Sequence, residues 1–277
     1  MNEIIFPDLG LSFKVSKIAF TMFNVDIYWY AICIITGIAL ATIVCRLSYV
    51  NYFIKFETVI ETMLFAIIFG VFGARLYYVI FNLDYYMVEP MKILDIRDGG
   101  LAIYGGLIAG ALVVVSYAHK YKVRPIELLD YIAPFVALAQ AIGRWGNFFN
   151  MEAYGMQTTF FMRMGLPIGL GGSYIYVHPT FLYESVADLL IYFLARHMQK
   201  NHKFAGSALF TYLILYSAVR FFIEFIRADA LMFAGFRVSQ VLSAVVFCIS
   251  LVYFIYRYAL YLRKKLIDLK DGIKRNT

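Results

Sequence analysis

Apolar runs of about 20 residues, the length of helix that crosses a hydrocarbon core, recur along this chain at 27–45, 58–81, 101–118, 126–143, 179–194, 205–226 and 238–256. Inside a bilayer no water is at hand to satisfy backbone N–H and C=O groups, so a spanning segment must bond to itself as a helix or close into a barrel. Runs this long predict the helical solution. The expected fold is all-α, a polytopic membrane helical bundle of seven transmembrane helices. Composition agrees, because 62% of the 277 residues are hydrophobic and 16% charged, whereas soluble domains carry about 25% charged residues. The fifth run is the weakest, since it contains Glu184 and Asp188. Connections are short, so residues 1–277 read as a single integral membrane domain. Within it, 1–26 are expected as an outer arm, 144–178 as a small outer cap and 257–277 as a basic cytoplasmic tail.

Lysine and arginine set the orientation. They are denser around 46–55, 119–124, 196–203 and the tail than on the alternate connections, and the positive-inside rule therefore puts the C-terminus in and the N-terminus out. The net charge of +7 reads as this collar, with no fold context for nucleic acid. Residues 1–26 lack the basic-then-apolar order of a cleavable signal peptide, so the first span is expected to act as the insertion signal. Cys33, Cys45 and Cys248 fall in apolar runs and His119, His178, His197 and His202 are scattered. Neither set has metal-ligand or disulfide spacing, and no metal or other cofactor is expected. The glycine-rich stretch 165–173 cannot span and is expected as irregular structure within the cap. No internal repeat is visible, which weighs against a transporter of inverted halves.

Polar groups gather toward the outer ends of the spans. GRWGNFFNMEAYG, 143–155, places Arg144, Asn147, Asn150 and Glu152 directly after an apolar helix; a guanidinium beside amides and glycines suits a phosphate, since it presents a planar fork of donors. In the sixth run Tyr216, Arg220, Glu224 and Arg227 recur at steps of four, four and three and share one helical face. Arg220 then lies about 9 Å below the interface, and Glu224 can pair with either arginine. Arg75 stands at a similar depth in the second run, within snorkelling reach of the surface. Tyr104 and Tyr30 bring hydroxyls to the same level, while Gly106 and Gly110 have the spacing of close helix packing. The sum is a cationic, hydroxyl-lined cavity that opens outward and reaches into lipid, which fits a lipid phosphate better than a soluble ion.

Four blocks carry a resemblance: IYGGLIAG at 103–110, GRWGNFFNMEAYG at 143–155, HPTFLYES at 178–185 and RFFIEFIRAD at 220–229. In order and spacing, from Tyr30 to Asp229, they resemble the signature blocks of the prolipoprotein diacylglyceryl transferases. The resemblance implies an enzyme of the bacterial cytoplasmic membrane that moves the diacylglyceryl group of phosphatidylglycerol to the lipobox cysteine thiol of a preprolipoprotein, releasing glycerol phosphate. Its partners would be phosphatidylglycerol, preprolipoprotein signal peptides and membrane lipids. By position, Arg144 would hold the headgroup phosphate with Asn147, Glu152 and Gly155 shaping the pocket. Arg220 would stabilise the leaving group, supported by Glu224 and Tyr216, Arg227 would also contact the substrate, and Tyr30 would line the lipid's way in. Many members carry histidine where this chain has Tyr104. An unperturbed tyrosine, with a pKa of about 10, stays protonated at neutrality, so hydrogen bonding rather than base catalysis is expected of it.

Two other classes use similar groups. A lipid-phosphate transporter or flippase would need a path to the cytoplasmic face, where the acids Asp130, Glu184 and Asp188 are expected to repel phosphate. A transferase acting on polyprenyl phosphate would call for paired aspartates around a divalent metal, and none stand at the outer side.

Overall fold

The computed structural model describes residues 2–48, 54–95, 99–168, 173–201, 203–233 and 235–275. Arg97, His202 and residues 169–172 of the glycine-rich stretch lie outside them. Helices dominate: α1 (Trp29–Leu47), α2 (Phe56–Ile80), the short α3 (Leu83–Val88), α4 (Ile103–Lys120), α5 (Pro125–Asn150), α6 (Thr180–Asn201), α7 (Ser207–Ile226) and α8 (Val238–Arg275). Among the described residues six of these, α1, α2, α4, α5, α7 and α8, are long and apolar enough to cross a membrane. The chain is a polytopic helical membrane protein. The fifth expected run, which is not among the six, corresponds to α6, which has the length, 22 residues, but whose apolarity is broken by Glu184, Asp188 and its basic end.

The all-α expectation is too narrow. Eight short strands are present among the described residues, four of them at residues 2–28 and two in the segment expected as a cap. β1 (Asn2–Phe6), β2 (Leu11–Val15), β5 (Met164–Ile168) and β6 (Ser173–Val177) form a four-stranded antiparallel sheet in the order β2-β1-β5-β6. The segment expected to be irregular thus has a strand at each end. Alternation explains the sheet: Ile4, Phe6, Val15, Met164, Leu166 and Val177 turn inward onto Phe148 of α5 and Phe181 of α6, burying one face as antiparallel sheets do. β3 (Ile18–Met22) and β4 (Val25–Tyr28) make a hairpin through Phe23 and Asn24, both at positive φ, 49° and 60°, as a tight hairpin turn demands. β7 (Met232–Phe233) and β8 (Phe236–Arg237) pair between α7 and α8.

Contacts divide the chain into two compact units, Met1–Ser48 with Ala133–Thr277, and Tyr49–Ile132. The first contains the sheet, α1, most of α5, and α6 to α8. Trp29 at the start of α1 stacks on Phe149 at 5.0 Å, and α7 packs against both α6 and α8.

The second unit is built on α2 against α4. Their closest approach is at Gly73 and Gly105, where a Cβ on Gly105 would stand 2.2 Å from the Gly73 carbonyl oxygen and one on Gly73 2.7 Å from that of Gly105. Only hydrogen fits there. The expected pair, Gly106 and Gly110, is looser, with the nearest neighbours of an added Cβ at 3.2 Å and 3.9 Å. Sequence spacing located the right turn of α4 and missed the partner glycine on α2.

Candidate active site

α5 does not end before GRWGNFFN but runs through it to Asn150. Arg144 and Asn147 are therefore helical residues one turn apart, and the expectation that they follow the helix is corrected. The helix persists because its apolar positions still have a surface to cover: Trp145 packs edge-on to Phe181 at 5.5 Å, and Phe148 packs on the same ring at 5.1 Å. These contacts, with the Ser185 hydroxyl donating to the Ala141 carbonyl at 2.7 Å, fasten α5 to α6 beneath the sheet.

Held this way, α5, α6 and α7 converge on a charged cluster. Arg144 places Nη1 2.9 Å from Glu184 Oε2 and Nε 3.8 Å from Asp188 Oδ2, and its Nη2 donates to the Tyr216 hydroxyl at 3.4 Å. Arg220 places Nη1 2.8 Å from the other oxygen of Glu184 and Nη2 2.9 Å from Glu224. One carboxylate thus bridges two guanidiniums. Tyr216, Arg220 and Glu224 reach the cluster because steps of four keep them on one face of α7. Tyr212, one turn earlier, stacks on Tyr216 at 5.6 Å and donates to Gln140 at 3.0 Å.

Accessibility gives the cluster its sense. The two arginine side chains remain 20% and 18% exposed, whereas Glu184, Asp188 and Glu224 are 4%, 1% and 1% exposed. The acids stand behind and the cations in front. Counter-charges lower the cost of immersing the guanidiniums, and because the arginines are the more exposed members, such an arrangement can receive an anion at its accessible edge.

Glu184 and Asp188 were expected on the opposite face, as repellents of phosphate. They lie instead one and two turns into α6 from Thr180 and neutralise the arginines, so their role in excluding a phosphate path is withdrawn. The signal was legible: two acids four apart in a span-length run require cations on neighbouring helices.

All but one of the remaining expected residues belong to the same unit as this cluster. Asn147 donates to Glu152 at 3.0 Å. Tyr30, in the first turn of α1, lies over Gly146, where an added Cβ would stand 2.7 Å from its ring, and within electrostatic reach of Glu152 and Arg144. After α5, Met151 and Ala153 take left-handed φ values of 53° and 56°, uncommon for side-chain-bearing residues, and turn the chain back toward α6 and α7. Gly155 then passes between them: its N–H donates to the His178 carbonyl at 2.9 Å, and a Cβ would meet His178 at 2.7 Å and the Ile226 carbonyl oxygen at 2.9 Å. Arg227 pairs in bidentate fashion with Asp229, at 2.8 and 2.7 Å, and not with Glu224, which is taken by Arg220. That guanidinium holds the Asp229 carboxyl below the usual carboxylate range. The backbone carbonyl of Glu224 accepts from Arg237. Tyr104 belongs to the other unit, in the first turn of α4, and is partly exposed. The Asn150 Oδ1 is buried with no hydrogen-bond partner. Among the described residues no group of His, Cys, Asp or Glu could hold a metal ion.

Comparison with known proteins places the chain as a whole. Residues 17–256 match the family model described as prolipoprotein diacylglyceryl transferase. Proteins named phosphatidylglycerol–prolipoprotein diacylglyceryl transferase resemble the chain along most of its length. That of Finegoldia magna is 42% identical over 228 residues, 82% of this chain and 90% of the relative. That of Enterococcus faecalis is 43% identical over 255 residues, 88% and 91%, and that of Lactococcus lactis subsp. lactis 43% over 266 residues, 93% and 98%. By this match the chain belongs to the prolipoprotein diacylglyceryl transferase family.

Proposed function

We propose that this chain transfers the diacylglyceryl group of phosphatidylglycerol to the lipobox cysteine thiol of preprolipoproteins and releases glycerol phosphate. The observation that carries the reading is the pair Arg144 and Arg220, held by one shared carboxylate and more exposed than the acids that pair with them. In the reaction a C–S bond forms at the glyceryl carbon as the C–O bond to phosphate breaks. The bonding electrons pass to the departing phosphate, and the thiol proton passes to solvent water as sulfur attacks. Negative charge grows on the phosphate oxygens, where fixed guanidiniums stabilise the transition state more than the ground state. The nucleophile comes with the substrate, so no enzyme cysteine is required.

In this reading Arg144 holds the headgroup phosphate and Arg220 the leaving oxygens, with Glu224 and Tyr216 fixing Arg220 and Arg144 in place. Glu184 sets the distance between the two cations. Asn147 and Glu152 shape the headgroup pocket and Gly155 keeps it open, while Tyr30 lines the approach of the acyl chains. Arg227, engaged with Asp229, adds positive potential at the rim. Tyr104 donates a hydrogen bond to the bound lipid. The chain crosses the cytoplasmic membrane of a bacterium seven times, N-terminus out and C-terminus in, with α6 as the seventh span; partners on α5 and α7 neutralise its acids and so permit immersion.

The test is to incubate purified protein with phosphatidylglycerol and a lipobox peptide and to weigh the peptide by mass spectrometry. The expected product carries the mass of a diacylglyceryl thioether and is absent when the peptide cysteine is replaced by serine. Phospholipid movement across vesicles without thioether formation would overturn the reading in favour of a flippase.

A further inference from the structure

The second unit contains a buried arginine for which the proposed chemistry has no use. Arg75, 8% exposed, donates to five backbone carbonyls: Ile93 at 3.0 Å, Gly99 at 2.9 Å, Gly100 at 3.0 Å, Lys92 at 2.5 Å and Asp95 at 2.7 Å. Its guanidinium also lies 5.3 Å from the centre of the Tyr86 ring. It thereby ties down α3 and the 3₁₀ turn Pro90–Leu94 that follows α2. This connection starts and ends at one face, because α4 returns beside α2: the Ala102 N–H donates to the Ala74 carbonyl at 3.0 Å, and Gly73 meets Gly105 one turn on.

The same connection presents large apolar side chains to the outside. Phe81, Met87, Val88, Met91 and Leu94 are 70%, 69%, 79%, 80% and 78% exposed, far more apolar surface than a water-facing loop of this length carries. Between two spans that end at one face, the apolar phase at hand is the bilayer. Irregular backbone tolerates such a position only when its carbonyls are satisfied from within the protein, and in water the five carbonyls would need no arginine. Lys92, paired with Glu89 at 2.7 Å and Tyr85 at 2.8 Å, supplies the polar side at headgroup level.

We propose that residues 81–95 are an in-plane element seated in the lipid interface at the face where α2 ends and α4 begins, with Arg75 as the clamp that makes the seating possible. The occupant of its apolar face is the phospholipid surface, and the inference stands apart from the transferase reading. To test it, an environment-sensitive fluorophore is attached at Met91→Cys, and separately at Met87→Cys, in full-length protein carrying Cys33→Ala, Cys45→Ala and Cys248→Ala, reconstituted in phospholipid vesicles. A probe at Ser12→Cys on β2 is the aqueous reference. Phospholipids brominated near the top of the acyl chains should quench the probes at 87 and 91 by about twofold or more, while aqueous iodide should quench them several-fold less than the reference. Quenching by iodide equal to the reference, or shielding from both quenchers as a protein partner would give, overturns the seating. Adding Arg75→Lys should raise iodide quenching toward the reference, because a point ammonium with three donors cannot hold five carbonyls. Unchanged quenching in that variant overturns the clamp.

Discussion

Glu184 does the work of two ordinary salt bridges, with one oxygen on Arg144 and the other on Arg220. Glu184→Gln keeps the shape but leaves two partly buried cations short of charge, a defect of at most about 3 kcal/mol by analogy with broken buried pairs. The expected outcome is loss of transfer together with a lower melting temperature in detergent; wild-type activity across phosphatidylglycerol concentrations would remove the acid from the site. Arg144→Ala should lower transfer by about 10²-fold or more, as for a lost oxyanion donor, in protein that still inserts. Arg144→Lys should restore little, since an ammonium cannot contact Glu184, Tyr216 and a phosphate through a planar fork. Near-normal turnover in well-expressed Arg144→Ala would refute its role. For Tyr104 the expectation is a modest fall in rate in Tyr104→Phe with the pH profile unchanged, and retained activity in Tyr104→His, because hydrogen bonding and not proton abstraction is asked of it. A rate that climbs toward alkaline pH in the native protein and flattens in Tyr104→Phe would show a general base instead.

At the scale of elements, α2 and α4 adhere through backbone approach, and lipid offers no hydrophobic drive to compensate if that approach is lost. Gly105→Leu must push the helices apart at Gly73. The expected result is a destabilised second unit, by about 1–3 kcal/mol for overpacking, read as faster proteolysis between residues 49 and 132. Gly110→Leu, where an added Cβ comes no closer than 3.9 Å to the Ala66 carbonyl oxygen, should be tolerated better; equal sensitivity of the two variants would mean that the Gly73–Gly105 contact does not organise the pair. The sheet teaches a related lesson. Its strands are contributed by residues 2–15 and 164–177, and they cohere because Phe148 and Phe181, on the two helices that carry Arg144 and Glu184, supply the apolar floor.

For the whole molecule, orientation is the property to measure. Cysteines at Ser12 in β2 and at Lys265 in α8, introduced one at a time in cysteine-free protein, should label from opposite sides of intact cells or oriented vesicles with a membrane-impermeant maleimide, Ser12→Cys from outside. Labelling of both from one side would contradict an odd number of spans and remove α6 from the count. What the sequence by itself determined is local in origin. Apolar runs specify membrane helices wherever they occur, because a backbone without water must bond to itself, and steps of four along α7 bring Tyr216, Arg220 and Glu224 to one face whatever surrounds them. The partners across helices were decided by tertiary structure alone. Glu184 became the bridge between two arginines, Gly73 the counterpart of Gly105, and residues 2–6 the neighbour of 164–168, because each pairing depends on which turn of one element meets which turn of another, and periodicity along a single chain holds no record of that register.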